Sequence, residues 1–125
     1  MSATSRTKGQ SGEREAAALI AEHTGWDVRR RVRQHLGDSD LDGTRGWCVE
    51  VKRHKHASRH LIGDWWFQAV EQARKVHKRP LLCYRQDRDE WRFVWAPGEC
   101  LLYAWAVEGA VEAWAAHARE LEAAC

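Results

Sequence analysis

Apolar residues recur along the chain at periods that predict an ordered set of elements. After Ser11, whose hydroxyl is suited to cap a helix, Ala16, Ala17, Leu19, Ile20 and His23 return at helical spacing. Glu13 and Glu15 lie in the first turn, where acidic side chains favour the helix dipole, and Gly25 is the expected stop. Trp26 to Arg33 mixes apolar and cationic residues in near alternation, predicting a strand with one basic face. Gln34 to Ser39 reads as a loop, and Leu41, alone among acidic neighbours, as a short or irregular strand. Trp47, Val49 and Val51 alternate with Cys48, Glu50 and Lys52, the period of a half-buried strand.

Arg53 to His60 has no apolar period and reads as a mobile basic loop. Asp64 is then predicted to cap a helix with the stripe Trp65, Trp66, Ala69, Val70, Ala73 and Val76. Leu81 to Tyr84 reads as a buried strand, Gln86 to Glu90 as a polar turn, and Trp91 to Trp95 as the partner strand. Pro97 and Gly98 break the pattern, and the alanine-rich stretch Leu101 to Cys125 predicts a helical tail bent at Gly109. The order helix, three strands, helix, two strands, helix predicts an α/β fold with a mixed sheet and helices on its faces.

Candidate chemistry gathers at the strand from Trp47. Glu50 and Lys52 share one face of it, and a hairpin turn over Gly43 to Gly46 would bring Asp40 beside them. Two carboxylates and an ammonium converging on one point suit a divalent metal and an oriented water; the plain alternative is a cross-strand ion pair. Gln72 lies near the apolar stripe of its helix, as a satisfied structural residue or as a polar group pointing into the site.

A chain of 125 residues fits one domain with one sizeable core. A formal charge of +2 is too mild to imply a polyanionic partner, but its distribution is informative. Arg29, Arg30, Arg31 and Arg33 precede the acidic run, and Lys52, Arg53, Lys55 and Arg59 follow it. Most of the eight tryptophans read as core or interface bulk. Cys48, Cys83, Cys100 and Cys125 form no CxxC pair, and the three histidines between Arg53 and His60 lack a complete set of zinc ligands at known spacings. Neither a signal peptide nor a membrane-spanning run is seen, so a cytoplasmic, reducing location in a bacterial or phage-infected cell is expected.

Lys8-Gly9-Gln10-Ser11-Gly12-Glu13-Arg14-Glu15, Gly25-Trp26, Ser39-Asp40, Val49-Glu50-Val51-Lys52 and Trp91-Arg92-Phe93-Val94 resemble, in order and spacing, the archaeal-type Holliday junction resolvases. The chain is more similar still to small phage and prophage nucleases related to them, within the PD-(D/E)xK superfamily. The resemblance covers roughly residues 8 to 96. It implies a restriction-endonuclease-like mixed β-sheet flanked by helices, and the chain is expected to divide into a disordered tail over residues 1–8, a nuclease core over 9–96 and a C-terminal helical extension over 97–125. It implies a metal-dependent DNA endonuclease, structure-specific in recombination or repair, with repair- or restriction-type cleavage of duplex or nicked DNA, or a catalytically silent DNA-binding module, as alternatives.

Carried over residue by residue, the resemblance makes Glu13, Asp40 and Glu50 ligands of Mg²⁺ or Mn²⁺, with the Val51 carbonyl a further oxygen donor and Lys52 orienting the attacking water. Gln72 matches a site-facing helix glutamine. Ser39 stands where the family pattern has proline, which leaves Asp42 as a second candidate for the acidic ligand. Arg30, Arg31, Arg33, Arg53, Lys55 and Arg59 are expected to contact DNA, which is branched in the resolvase reading, with a homodimer supplying two sites and no membrane partner.

Overall fold

The computed structural model describes the backbone of residues 3–32 and 39–124. Arg33, one of the expected DNA contacts, lies outside the described residues. The first helix, α1, spans Ala3–Thr24. It begins before Ser11, so Ser11 is not its cap and the tail expected over residues 1–8 has helical backbone from Ala3; the Ser11 hydroxyl instead donates to Glu15 at 3.3 Å. Gly25 ends the helix as expected: its φ is +77°, and its N–H reaches the Ala21 carbonyl at 2.8 Å.

Two short strands follow, β1 (Arg29–Arg30) and β2 (Leu41–Asp42), paired antiparallel. The strand expected from Trp26 to Arg33 shrinks to two residues: Trp26 and Val28 are buried and Asp27 and Arg29 exposed, so the alternation is there, but only Arg29 and Arg30 find partners on β2. Gly43 fixes how the two segments cross. It adopts φ +86°, and a Cβ there would lie 2.1 Å from the Asp27 carbonyl oxygen, so only glycine fits.

The main sheet runs β3 (Trp47–His54), β4 (Arg79–Gln86), β5 (Arg92–Trp95) and β6 (Val107–Gly109), in that spatial order. β3 and β4 are parallel, joined across the face by α2 (Arg59–Lys75), and the remaining pairs are antiparallel. The last helix is α3 (Val111–Ala123). On one face Trp47, Val49, Val51, Leu81 and Cys83 pack with Ala16 and Ile20 of α1 and Trp114 of α3. On the other, Leu82 and Tyr84 pack with Ile62, Trp65, Trp66 and Val70 of α2. This is the mixed sheet with helices on its faces that the sequence predicts.

Three expectations are corrected. β3 is not half-buried: Cys48 and Glu50 are only 2% and 6% exposed, because α2 covers the face that alternation had assigned to water. The second helix starts at Arg59, capped by Ser58, whose side chain accepts the Leu61 N–H at 3.1 Å, so Asp64 is not its cap and Arg59 belongs to the helix rather than to a loop. The alanine-rich tail is not all helix: Val107–Gly109 pairs with β5, and Trp114 is fully buried in the core. A three-residue strand carries too little periodicity to be read in advance.

Candidate active site

The segment before β2 docks on the free edge of β3 and sets the site's register. Ser39 is buried, and its hydroxyl oxygen accepts the Val49 N–H at 2.9 Å while donating to the Leu41 carbonyl at 2.8 Å. The Asp40 N–H bonds the Val49 carbonyl at 2.8 Å. Asp40 is thereby brought alongside β3, and its Oδ2 accepts the Val51 N–H at 2.7 Å. In an extended strand a residue's N–H and C=O leave the same edge, so the Val51 carbonyl lies on the Asp40 side as well. Asp42 points elsewhere: it is half exposed and pairs with Arg31 at 2.6 Å.

Glu50 projects from β3 toward α2. Its Oε1 lies 3.2 Å from Lys52 Nζ, two residues on and on the same face. Gln72 of α2 faces the Glu50 carboxylate as a hydrogen-bond partner. Glu50 Oε2 and Gln72 Oε1 are both buried without a partner among the described residues. Burial pushes the Glu50 carboxyl up, against the opposing pull of Lys52 and Gln72. Asp40 is pushed up to about 7, first by burial and then by the Glu50 charge, while the Val51 N–H and Lys52 oppose the rise. A buried carboxylate and a partly buried one beside it, with one ammonium for the two charges, therefore leave an excess of negative charge that a cation would cancel.

Glu13 raises both of these carboxyls electrostatically, which puts it close to the pair. Its Oε1 is engaged by Arg30 Nε at 2.8 Å, both side chains being largely buried. Among the described residues no group of three or more His, Cys, Asp or Glu side chains is arranged to hold a metal. The sequence-predicted set thus divides. Asp40, Glu50, Lys52, Gln72 and Val51 come together, Glu13 adjoins them through a pair with Arg30, and Asp42 is set apart.

The expected DNA contacts divide too. Arg30, Arg31 and Arg53 are each committed to a carboxylate, Glu13, Asp42 and Glu15 respectively, while Lys55 and Arg59 are exposed. Two residues the sequence reading passed over matter here. Ser39 replaces a proline yet ties the Asp40 segment to β3. Glu15 gathers Arg53, Arg85 and Trp91 at 3.1, 2.6 and 3.2 Å. Both act through partners far along the chain, for which local sequence carries no signal.

The family described as "Phage putative PDDEXK endonuclease" matches residues 4–117. The chain belongs to this endonuclease family. Membership makes it a DNA endonuclease by class, and the match runs past the resemblance near residue 96 to take in β6 and much of α3. This PDDEXK endonuclease is 25% identical over 112 residues to Protein D14 of Escherichia phage T5, covering 73% of this chain and 70% of that protein. Among solved structures it is similar to Hjc, a Holliday junction resolvase of Archaeoglobus fulgidus, at 22% identity and a TM-score of 0.49, covering 69% of this chain and 70% of that one. Among the described residues no helix is long and apolar enough to cross a membrane.

Proposed function

We propose that this endonuclease hydrolyses DNA phosphodiesters at the Asp40–Glu50–Lys52 site with the help of Mg²⁺ or Mn²⁺, and that its substrate is branched DNA. The observation that carries the reading is the buried Glu50 carboxylate, whose Oε2 has no partner although it sits beside Asp40 and Lys52. A buried charged oxygen left without a donor is costly unless something binds it. The donors are hard oxygens, Asp40, Glu50 and the Val51 carbonyl, which suit Mg²⁺ or Mn²⁺ rather than zinc. Two carboxylates are enough for such an ion, which keeps several waters and takes further oxygens from substrate phosphate.

When bound, the ion stabilises negative charge on the non-bridging phosphate oxygens and acidifies water. The chain's own residues supply the rest. Val51 N–H fixes the Asp40 carboxylate in place. Lys52, held by Glu50, presents a donor that orients the attacking water or balances charge on the phosphate. Gln72 holds Glu50 from the opposite element. Glu13, released from Arg30, is the third carboxylate available to the ion, and Arg30 would then be free to meet the DNA.

Branched DNA as substrate is supported by the order and spacing of the resolvase-like motifs. Cutting a junction symmetrically needs two sites, so a two-fold dimer in the host-cell cytoplasm belongs to the reading. The test is to incubate the protein with a four-way junction, a flap and a linear duplex, with Mg²⁺ or Mn²⁺, beside Glu50→Ala. Metal-dependent cutting of the junction that Glu50→Ala lacks supports the proposal. Cutting of linear duplex alone would replace the substrate class, and equal cutting by the variant would remove the site. Sedimentation showing only monomer in the presence of junction DNA would count against two-site cleavage.

A further inference from the structure

Three histidines follow the site's lysine in the chain, His54, His56 and His60, and the chemistry proposed above uses none of them. Their surroundings differ. His60 is 92% exposed and has a loose pair with Asp64 at 3.7 Å. His56 is exposed and meets its neighbour through its backbone carbonyl. His54 is also exposed, yet its ring is held in place: Nδ1 lies 2.9 Å from the His56 carbonyl oxygen, and the ring stands edge-on to Trp65 with centroids 5.6 Å apart. Trp65 is buried and packs in turn on Tyr84. A carbonyl only accepts, so Nδ1 carries a proton and donates, and Nε2 is the nitrogen left to meet a ligand.

Position ties this ring to the site. Side chains alternate along β3, so Glu50, Lys52 and His54 share the face that α2 covers, while Arg53 turns to the other face and pairs with Glu15 at 3.1 Å. Two contacts with α2 check this independently. Gln72 faces Glu50, and Trp65 meets His54. From Glu50 to His54 is four strand residues, about 13 Å. From Gln72 back to Trp65 is seven helix residues, about 10 Å. The spans agree to within about one strand residue, so both contacts lie along one groove between β3 and α2, with the carboxylates at one end and His54 at the other.

Lys52, between the two ends, turns its ammonium back onto Glu50 at 3.2 Å. His54 has no ion pair among the described residues. Along this face of β3 it is therefore the first group after Lys52 able to offer a cationic donor that no carboxylate already holds. A ring fixed by two contacts loses little freedom on meeting a ligand. Protonated, it presents at Nε2 an N–H that a phosphate oxygen accepts in a charge-assisted bond.

We propose that His54 Nε2 contacts a backbone phosphate flanking the scissile one, so that the groove between β3 and α2 carries the DNA strand from the carboxylates toward the start of α2. This rests on the nuclease reading and names where the substrate strand runs. Of the three histidines only His54 takes part, and as a backbone contact it carries no base preference.

The experiment titrates a fluorescent four-way junction and a linear duplex over a range of salt without divalent metal, so that nothing is cut. Single-turnover cleavage is then followed with Mn²⁺ at saturating protein. Wild type is compared with H54A, H54K, H56A and H60A, each checked for unchanged thermal unfolding. H54A is expected to raise Kd about fivefold on both DNAs and to lower the magnitude of the log–log salt slope by up to about 1, with the saturated cleavage rate within about threefold of wild type. H54K restores a cationic donor but neither the bond to His56 nor the contact with Trp65, and should bind within about twofold of wild type, as should H56A and H60A. H54A that binds like H56A and H60A overturns the contact, whether all three match wild type or all three are weakened. H54K that binds no tighter than H54A also overturns it, by making His54 a structural residue. Each of these results leaves the active-site reading standing, whereas wild type that binds neither DNA would overturn both.

Discussion

Two glutamates on opposite faces of β3 have opposite surroundings. Glu15, reaching from α1, accepts from Ser11, Arg53, Arg85 and Trp91, four donors on two oxygens. Glu50, on β3 itself, has Lys52 and Gln72 near it and one buried oxygen with nothing. The first arrangement is complete, tying α1 to β3, β4 and the segment before β5. The second is short of positive charge, and the fold's own stability does not call for it. A carboxylate saturated by the chain serves structure, while one left wanting in a buried place is where a ligand belongs.

The comparison breaks first on activity. Glu50→Ala and Asp40→Ala are each expected to lower cleavage by about a thousandfold, with thermal unfolding no earlier than in wild type. Glu15→Ala should do the reverse: about 2 kcal/mol less stability in urea unfolding, because Arg53 and Arg85 lose their common partner, with cleavage per folded molecule within a few-fold of wild type. Stability unchanged in Glu15→Ala and lowered in Glu50→Ala would invert the assignment.

A smaller effect concerns pH. The Asp40 carboxyl is raised from 3.8 to about 7, so between those values the native state holds a proton that the unfolded chain has released. Stability in the absence of metal should therefore decline as pH rises through that window and level off above it. A bound cation displaces the same proton, so Mn²⁺ affinity should increase with pH by up to about tenfold per unit below about pH 7 and flatten above it, as read by calorimetry. The smallest effect is expected at Asp42. Its pair with Arg31 is half exposed, so Asp42→Ala should cost about 0.5 kcal/mol or less and change cleavage by less than about threefold. Loss of cleavage there, with Asp40→Ala active, would shift the site's register.

Much of this arrangement is legible in the sequence. The alternation from Trp47 announces β3, Gly25 marks the end of α1, and the stripe from Trp65 announces α2. What sequence does not carry is what covers each element. Alternation gives Glu50 a face but not the helix above it, so its burial is visible only once α2 is in place. The choice between Asp40 and Asp42 hinges on Ser39 bonding Val49, a contact across ten positions of sequence. The basic residues mislead for a related reason: a count of arginines near an acidic run does not say that Arg53 and Arg85 are spent on Glu15, from 38 and 70 residues away.

The central claim is that the buried Glu50 Oε2 lacks a partner because a cation completes it. Calorimetric titration of Mn²⁺ into wild type and into Glu50→Gln, which keeps the side chain's size and removes its charge, tests this most directly. Saturable binding to wild type that is lost in Glu50→Gln, with both proteins equally folded, is the predicted result. Equal binding to the two proteins, or none to either, would contradict it.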